Sequence, residues 1–434
     1  LHVDERLFRA PKSLVVDPKF FVSGEATFDL EAELLATLRL LLEQDVTEQD
    51  AVQCRFPARA RWLEEQLGIS QQQIVKVDCK QYRAWRQEMD VETAWLIFPS
   101  AHLNSPSSMF GHTLLRLDPP KSKSSSTLLA KAVNYAANVN NKDFELLYAY
   151  KGLFGGYPGE FSIVPYHKKV KEYGLIEKRD IWEYRLNLTE DEIDWLLRHL
   201  WELRDIEFQY FFSSKNCSYQ LLALLDVARV GSQLTSAFPR QTIPVDTVRV
   251  LEQQSWIAGH EYRPSQAREF YELAQNLNSD ERNAVIALQS QSPAEVAIME
   301  SMTLERQQLV VDIAYKLARI NKKTVSSKQA LEILKFRSSL GKRSSAPTDI
   351  YSQRPEKSHY SNRLVLAAGE YENSNESYDG LYVSYRPAFH SLDDALRGFS
   401  PGAQINFLET ELFITEDELL VRRFNVLDIR SLSV

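Results

Sequence analysis

The chain has 434 residues, enough for two to four domains at roughly 100–200 residues each. Its composition (44% hydrophobic, 25% charged, 11% aromatic) supports sizeable cores and excludes a wholly disordered chain. A net charge of −8 without a basic block argues against nucleic acid as a partner, and no apolar run nears the roughly 20 residues of a membrane-spanning helix.

The first ninety residues read as a helical cap. "ATFDLEAELLATLRLLLEQD" predicts a helix with Asp29 as N-cap and Leu34, Leu35, Leu38, Leu41 and Leu42 as its apolar stripe. "PARARWLEEQLG" predicts a second helix closed by Gly68. Cys54 and Cys79 lie in this region. In an oxidising compartment they could join as a disulfide; the alternative is two buried reduced thiols.

From about Val91 the texture changes. "TAWLIFPS", "HTLLRLD" and the stretch Val133 to Ala137 have strand length, with the solvated loop "KSKSSS" between the second and third. "LTEDEIDWLLRHLWEL" predicts a helix capped by Thr189, with Ile193, Leu196, Leu197 and Leu200 as its apolar face. "CSYQLLALLDVARVG" predicts another, closed by Gly231. Helical pattern dominates from about Ser265 to Ser339, and a Ser/Lys/Pro-rich linker follows. The last seventy residues alternate like antiparallel strands. The expected division is 1–90 helical cap, 91–250 central domain, 251–345 helical segment, and 346–434 linker and strands.

Cys217 stands at the first turn of its helix, after the polar turn Ser213-Ser214-Lys215-Asn216. Unpaired amides and the helix dipole there favour a thiolate, and the same amides could hold an oxyanion. The alternative is a small buried core residue. His112 opens the strand "HTLLRLD" and is the candidate base; a satisfied structural histidine is its plain alternative. A base needs a third group to fix its tautomer, and Asn134 on the next predicted strand is the candidate. Only 15 glycines occur in the chain, yet four fall within "GLFGGYPG". Gly155, Gly156 and Tyr157 are therefore candidates for a substrate-lining loop, with a hairpin of two tight turns as the alternative. Asn104, Ser108 and Asn216 flank the two main residues and complete the substrate or oxyanion candidates. No HExxH, CxxC, GxGxxG, GxxxxGK[ST] or GxSxG spacing occurs, so neither a metal nor a cofactor is expected.

"NSPSSMFGHTLLRL", "YKGLFGGYPGEFSIVPYHKKVKEY", "RDIWEYRLNLT" and "NCSYQLL", in this order, resemble the Lnb-type N-terminal periplasmic domain family, over roughly Thr93 to Val250. The resemblance implies an α+β chain with a permuted papain-like cysteine-hydrolase core, similar to NlpC-type peptidases and lecithin:retinol acyltransferase, in which the histidine strand precedes the cysteine helix. It implies a periplasmic enzyme with Cys217 as nucleophile and His112 as base. The substrate would be a lipid, a lipoprotein or peptidoglycan. The strand-rich tail is expected, again by resemblance, to begin an outer-membrane barrel continuing past Val434. The contrasting expectation is a non-catalytic envelope scaffold that keeps the papain-like unit for binding.

Overall fold

The computed structural model describes the chain except residues 1–2, 5–11, 25–28, 44–45, 49, 71, 102–109, 121–126, 140–142, 294–295, 322–324, 343–352, 374–375, 396–397, 400–401 and 433–434. It has two units: residues 1–168, 183–261 and 354–434 form the first, and residues 169–182 and 262–353 the second. The helical unit thus starts at 262 rather than 251, and it also takes in a stretch from the central domain.

In the first unit, β1 (Val3–Asp4) and β2 (Lys12–Ser13) form a short ribbon. Helix α1 (Leu30–Leu41) starts where the Asp29 carboxylate accepts the Glu31 and Ala32 amides at 2.9 and 3.1 Å. Most of its leucine stripe does not face the core. Leu34, Leu35 and Leu42 are exposed, and Glu33, Thr37 and Leu41 are buried. An ion pair reverses the face: Glu33 bonds Arg59 and also accepts the Val22 and Ser23 amides. A buried carboxylate needs such partners, and having them anchors the polar side inward. Arg59 belongs to α3 (Pro57–Leu67), which follows the short α2 (Val52–Arg55) and ends at Gly68. A disulfide joins Cys54 of α2 to Cys79, the residue before α4 (Lys80–Met89), with 5.1 Å between the Cα atoms.

A seven-stranded sheet follows. Its members are β3 (Thr93–Pro99), β4 (Leu114–Asp118), β5 (Lys131–Ala137), β6 (Tyr157–Pro165), β7 (Ile181–Leu186), β8 (Glu207–Tyr210) and β9 (Ile257–Arg263), in the spatial order β8-β6-β5-β4-β3-β7-β9. Pairing is antiparallel from β3 through β8. Leu114, Leu115 and Leu117 of β4 are buried, and so is Arg116 between them. Arg116 is tolerated because Glu183 and Asp118 pair with it and the Trp95 ring lies 4.3 Å from its guanidinium. Helices α5 (Glu145–Phe154) and α6 (Tyr166–Val170) flank β6. Helix α7 (Glu190–Glu202) begins with a capping box between Thr189 and Glu192. Helix α8 (Cys217–Ala228) packs against β4, β5 and α7, burying Leu221, Leu222, Leu224 and Leu225; α9 (Pro244–Gln253) follows.

A second, antiparallel sheet closes this unit. It contains β10 (Arg363–Asn373), β11 (Glu376–Arg386), β12 (Ala388–His390), β13 (Ala403–Ile414) and β14 (Leu419–Ser431). Phe389 and Phe407 of this sheet meet the Phe110 ring at 5.8 and 6.3 Å, two residues before His112.

The second unit is built on α10 (Gln266–Ala274), α11 (Ser279–Ala287), α12 (Leu304–Ile320) and α13 (Ser327–Ser339). Ser265, Asn278 and Ser326 cap three of these with their side chains. Leu277, Val285, Leu288, Val310, Ile313 and Ile333 lie in its core.

Candidate active site

The chain reaches His112 through Gly111, whose φ is 102°. A Cβ at that position would also meet the Phe98 ring at 2.8 Å, so both the turn and the close approach call for glycine. His112 is then placed just before β4. The β4/β5 register sets Leu115 opposite Val133, and one further pair brings Asn134 opposite Leu114. His112 and Asn134 are thus diagonal cross-strand neighbours on one face. Their side chains meet: His112 Nε2 lies 2.8 Å from Asn134 Oδ1. An amide oxygen only accepts, so Nε2 carries the proton and Nδ1 is left as the basic nitrogen.

Helix α8 brings the thiol to this pair. Asn216 is its N-cap, with Oδ1 accepting the Ser218 and Tyr219 amides at 3.1 and 3.3 Å. The Asn216 Nδ2 donates to the carbonyls of Phe212 and Thr242 at 3.1 and 2.8 Å, which fixes the helix start against its neighbours. Cys217 is 1% exposed, and burial alone would push its thiol up. The opposing effects win and hold it at about 7: the charge and hydrogen bond of His112, the Thr113 amide, and the Ser218 hydroxyl. Ser218 Oγ lies 3.9 Å from the sulfur and 2.8 Å from Thr113 Oγ1. Cys217, His112 and Asn134 therefore form one connected group, with the imidazole between thiol and amide. Thiolate chemistry at neutral pH is what such a group permits.

The other candidates fall elsewhere. Asn104 and Ser108 lie outside the described residues. Asn216 supports the helix and has both ends of its side-chain amide engaged, so it is not turned to a ligand. The helix-start amides are also occupied, contrary to the expectation of an open oxyanion site. Ser218 and Tyr219 give theirs to Asn216, and the Cys217 amide bonds the Tyr210 hydroxyl. Gly155, Gly156 and Tyr157 form a helix-to-strand turn, not a hairpin. Gly155 ends α5 with φ 79°, and a Cβ there would strike the Phe211 ring at 2.6 Å. A Cβ on Gly156 would press on Lys151 at 2.9 Å. Tyr157 is buried and donates to Asp143 at 2.7 Å; burial and that carboxylate push its hydroxyl up to about 12. These residues brace the strand that leads into Cys217.

Four neighbours of the thiol escaped sequence reasoning. Thr113 acts through its backbone, which carries no residue-type signal. Tyr210 and Tyr135, both buried, have hydroxyls raised well above the usual tyrosine range by burial and by the nearby Cys217. Ser218 had a local signal in its place one residue into the helix. An apolar cavity of about 670 Å³, lined by Leu30, Leu34, Trp62, Trp195 and Val227 among others, lies at the far end of α8. At 1.5 Å per residue, Val227 is about 15 Å from Cys217 along the axis, too far to serve the thiol.

Three family models match the chain. The Lnb N-terminal periplasmic domain matches residues 81–254, which hold Cys217, His112 and Asn134. Domains of unknown function match residues 1–66 (DUF7843) and 352–434 (DUF7840). No curated protein and no solved structure matches.

Proposed function

Through residues 81–254 the chain belongs to the Lnb N-terminal periplasmic domain family, an envelope-associated periplasmic assignment, and from that premise we propose that it is a cysteine-dependent acyltransferase or hydrolase. The observation that carries this reading is the position of His112, bonded to Asn134 through Nε2 and hydrogen-bonded to the Cys217 thiol. A histidine strand that precedes a cysteine helix, with an amide on the next strand, also supports a permuted papain-like core. In the reaction, the Cys217 thiolate attacks an ester or amide carbonyl. The tetrahedral adduct collapses to a thioester as the leaving oxygen or nitrogen takes a proton from the His112 imidazolium. Water or an amine then attacks the thioester, giving its proton back to His112 and restoring the thiolate. Asn134 holds the ring in place throughout. The substrate class is a lipid, lipoprotein or peptidoglycan acyl group.

Mass spectrometry of the intact chain after exposure to a p-nitrophenyl acyl ester tests the chemistry. One acyl group should appear on the wild type, and none on Cys217→Ala. Ester turnover that survives Cys217→Ala would defeat the proposal. The depth of the thiol favours a second reading, a non-catalytic envelope scaffold. The two part on a cellular test: a scaffold keeps its phenotype in a Cys217→Ser strain.

We also propose that the C-terminal sheet meets the outer membrane. Its pairings align apolar residues in rows across one face: Leu366, Val383, Leu412 and Val421 in one, Leu381, Ile414 and Leu419 in the next. Leu364, Tyr385 and Phe424, joined through Thr410, occupy a third. Leu364, Leu366, Leu419, Val421 and Phe424 are each at least 59% exposed. The alternate face carries Ser384, Glu411 and Arg423 in register. A continuous apolar outer face on strands of about 9–11 residues or more, with polar residues on part of the other face, fits a lipid-facing barrel wall. Among the described residues no helix is long and apolar enough to cross a membrane. Flotation with phosphatidylethanolamine/phosphatidylglycerol vesicles should be lost in Val421→Asp/Phe424→Asp, and unchanged flotation would contradict the assignment.

A further inference from the structure

We propose that His359, His390 and Asp394 form a binding site for one divalent transition-metal ion of the zinc class. One nitrogen of each ring and a carboxylate oxygen lie within 4.8 Å of one another. None of the three takes part in the chemistry around Cys217.

The donor set and its geometry fit the ion. His359 Nε2 lies 2.8 Å from His390 Nδ1 and 3.9 Å from Asp394 Oδ2. A tetrahedral zinc site, with ligands about 2.0–2.1 Å from the metal, has ligand-to-ligand edges of roughly 3.3 Å. The two observed edges straddle that value, so opening one and closing the other by about half an ångström completes the set. Two imidazoles and one carboxylate select zinc or a neighbouring transition ion over calcium or magnesium, which take oxygen ligands.

The hydrogen bonds already hold the His359 ring as a metal would need it. His359 Nδ1 lies 2.9 Å from the Tyr360 carbonyl, an acceptor, so Nδ1 carries the proton and Nε2 offers a lone pair. This is the outer bond typical of a metal-ligating histidine. His390 Nδ1 must then donate to His359, which leaves His390 Nε2 as the bare nitrogen. That atom is buried without a hydrogen-bond partner. Coordination requires His390 to change tautomer, its proton moving from Nδ1 to the buried Nε2, with no change in charge, and a water or small side-chain shift to accept the new Nε2–H. The ring is otherwise settled: His390 is 2% exposed and stacks on Phe399 at 4.3 Å, while His359 stacks on the same ring at 4.8 Å.

Asp394 is oriented in the same way. Its Oδ2 accepts from Arg386 Nη2 at 2.6 Å and from the Ser391 amide at 2.8 Å, and Arg363 lies 3.6 Å from Oδ1. Ligating carboxylates are themselves hydrogen-bonded in this manner. His359 keeps 17% of its side chain exposed, which gives the ion an entry and a fourth position for water. The ion would tie two segments of the C-terminal sheet region to each other. His359 gives its carbonyl to Arg249 of α9 at 2.5 Å, and His390 follows Phe389, which touches Phe110.

The test uses the full chain with any histidine tag removed. Zn²⁺ titrated against a chromophoric chelator should show one ion per chain, bound at least tenfold more weakly by His359→Ala and by His390→Ala. Asp394→Asn should weaken it about tenfold, and Cys217→Ser should not change it. Co²⁺ added to the wild type should give visible d–d bands, a readout that requires no variant to fold. Absence of those bands, equal binding by the His359→Ala/His390→Ala protein, or loss of the ion in Cys217→Ser would each overturn the assignment.

Discussion

Removal of His112 gives the sharpest test of the candidate site. Cys54 and Cys79 are joined, so Cys217 is the one free thiol, and alkylation reads it alone. With the thiol held at about 7, half of it is thiolate at pH 7. In His112→Ala the charge and the hydrogen bond that oppose burial are gone, and the thiol returns at least to its ordinary 9.0, leaving about 1% thiolate at pH 7. That alone slows the reaction about fiftyfold. A less acidic thiol is intrinsically more nucleophilic, with a Brønsted slope of about 0.4–0.5, which returns a factor of about eight over two units. The net expectation is a variant about sixfold slower at pH 7 and about sevenfold faster at pH 10, with profiles that cross between. Iodoacetamide rates from pH 5 to 10, read by intact mass, measure this. Comparing each protein with itself across pH cancels any change in access to the buried sulfur. A common midpoint in the two proteins would refute the pairing.

Three further outcomes follow from the same contacts. Asn134 accepts from His112 Nε2–H whether the ring is neutral or charged, and the bond to the charged ring is stronger by about 1–1.5 kcal/mol, so Asn134→Ala should raise the alkylation midpoint by about one pH unit. Asn134→Asp should lower it, because a carboxylate favours the charged ring. Asn216→Ala removes the cap of α8 and two buried donor bonds, and chemical denaturation should show a loss of about 2 kcal/mol or more; Asn216→Asp should recover the cap share of about 1 kcal/mol. The Cys54–Cys79 bridge closes a loop of 25 residues, which the chain-entropy relation values at about 3.5 kcal/mol, so the Cys54→Ser/Cys79→Ser protein should denature at correspondingly lower urea.

Local signals in the sequence gave local structure. Asp29, Thr189 with Glu192, and Gly68 set helix ends through bonds to amides or turns a few residues away, and all three stand at those ends. Elements decided by distant partners were not legible. The leucines of α1 promised a buried stripe, but Arg59, 26 residues on, pulls Glu33 inward and turns several of them out. Four glycines in eight residues looked like a loop. They include the last turn of α5 and its terminator, and their lack of side chains makes room for Phe211, Phe212 and Tyr135. The spacing that advertised a terminator at Gly155 was present, yet the rings that Gly152 and Gly159 make room for belong to Phe212, 60 residues further along, and Tyr135, 24 residues back. His359 and His390 are 31 residues apart, outside any ligand spacing that a sequence pattern encodes.

The same distinction holds at the thiol. Its place at a helix start was legible, and so was a histidine on a strand; the means of activation was not. A cysteine at an N-terminus invites the view that free amides and the dipole lower it. Here the first amides are already taken, by Asn216 and by the Tyr210 hydroxyl. The thiol is lowered against full burial chiefly by His112, then by the Thr113 amide next to it in the chain. The strand therefore supplies both base and amide donor, while the helix supplies a sulfur in a fixed position. Substitutions on the strand side should then move the midpoint of alkylation, whereas loss of the helix cap should lower stability and shift that midpoint far less.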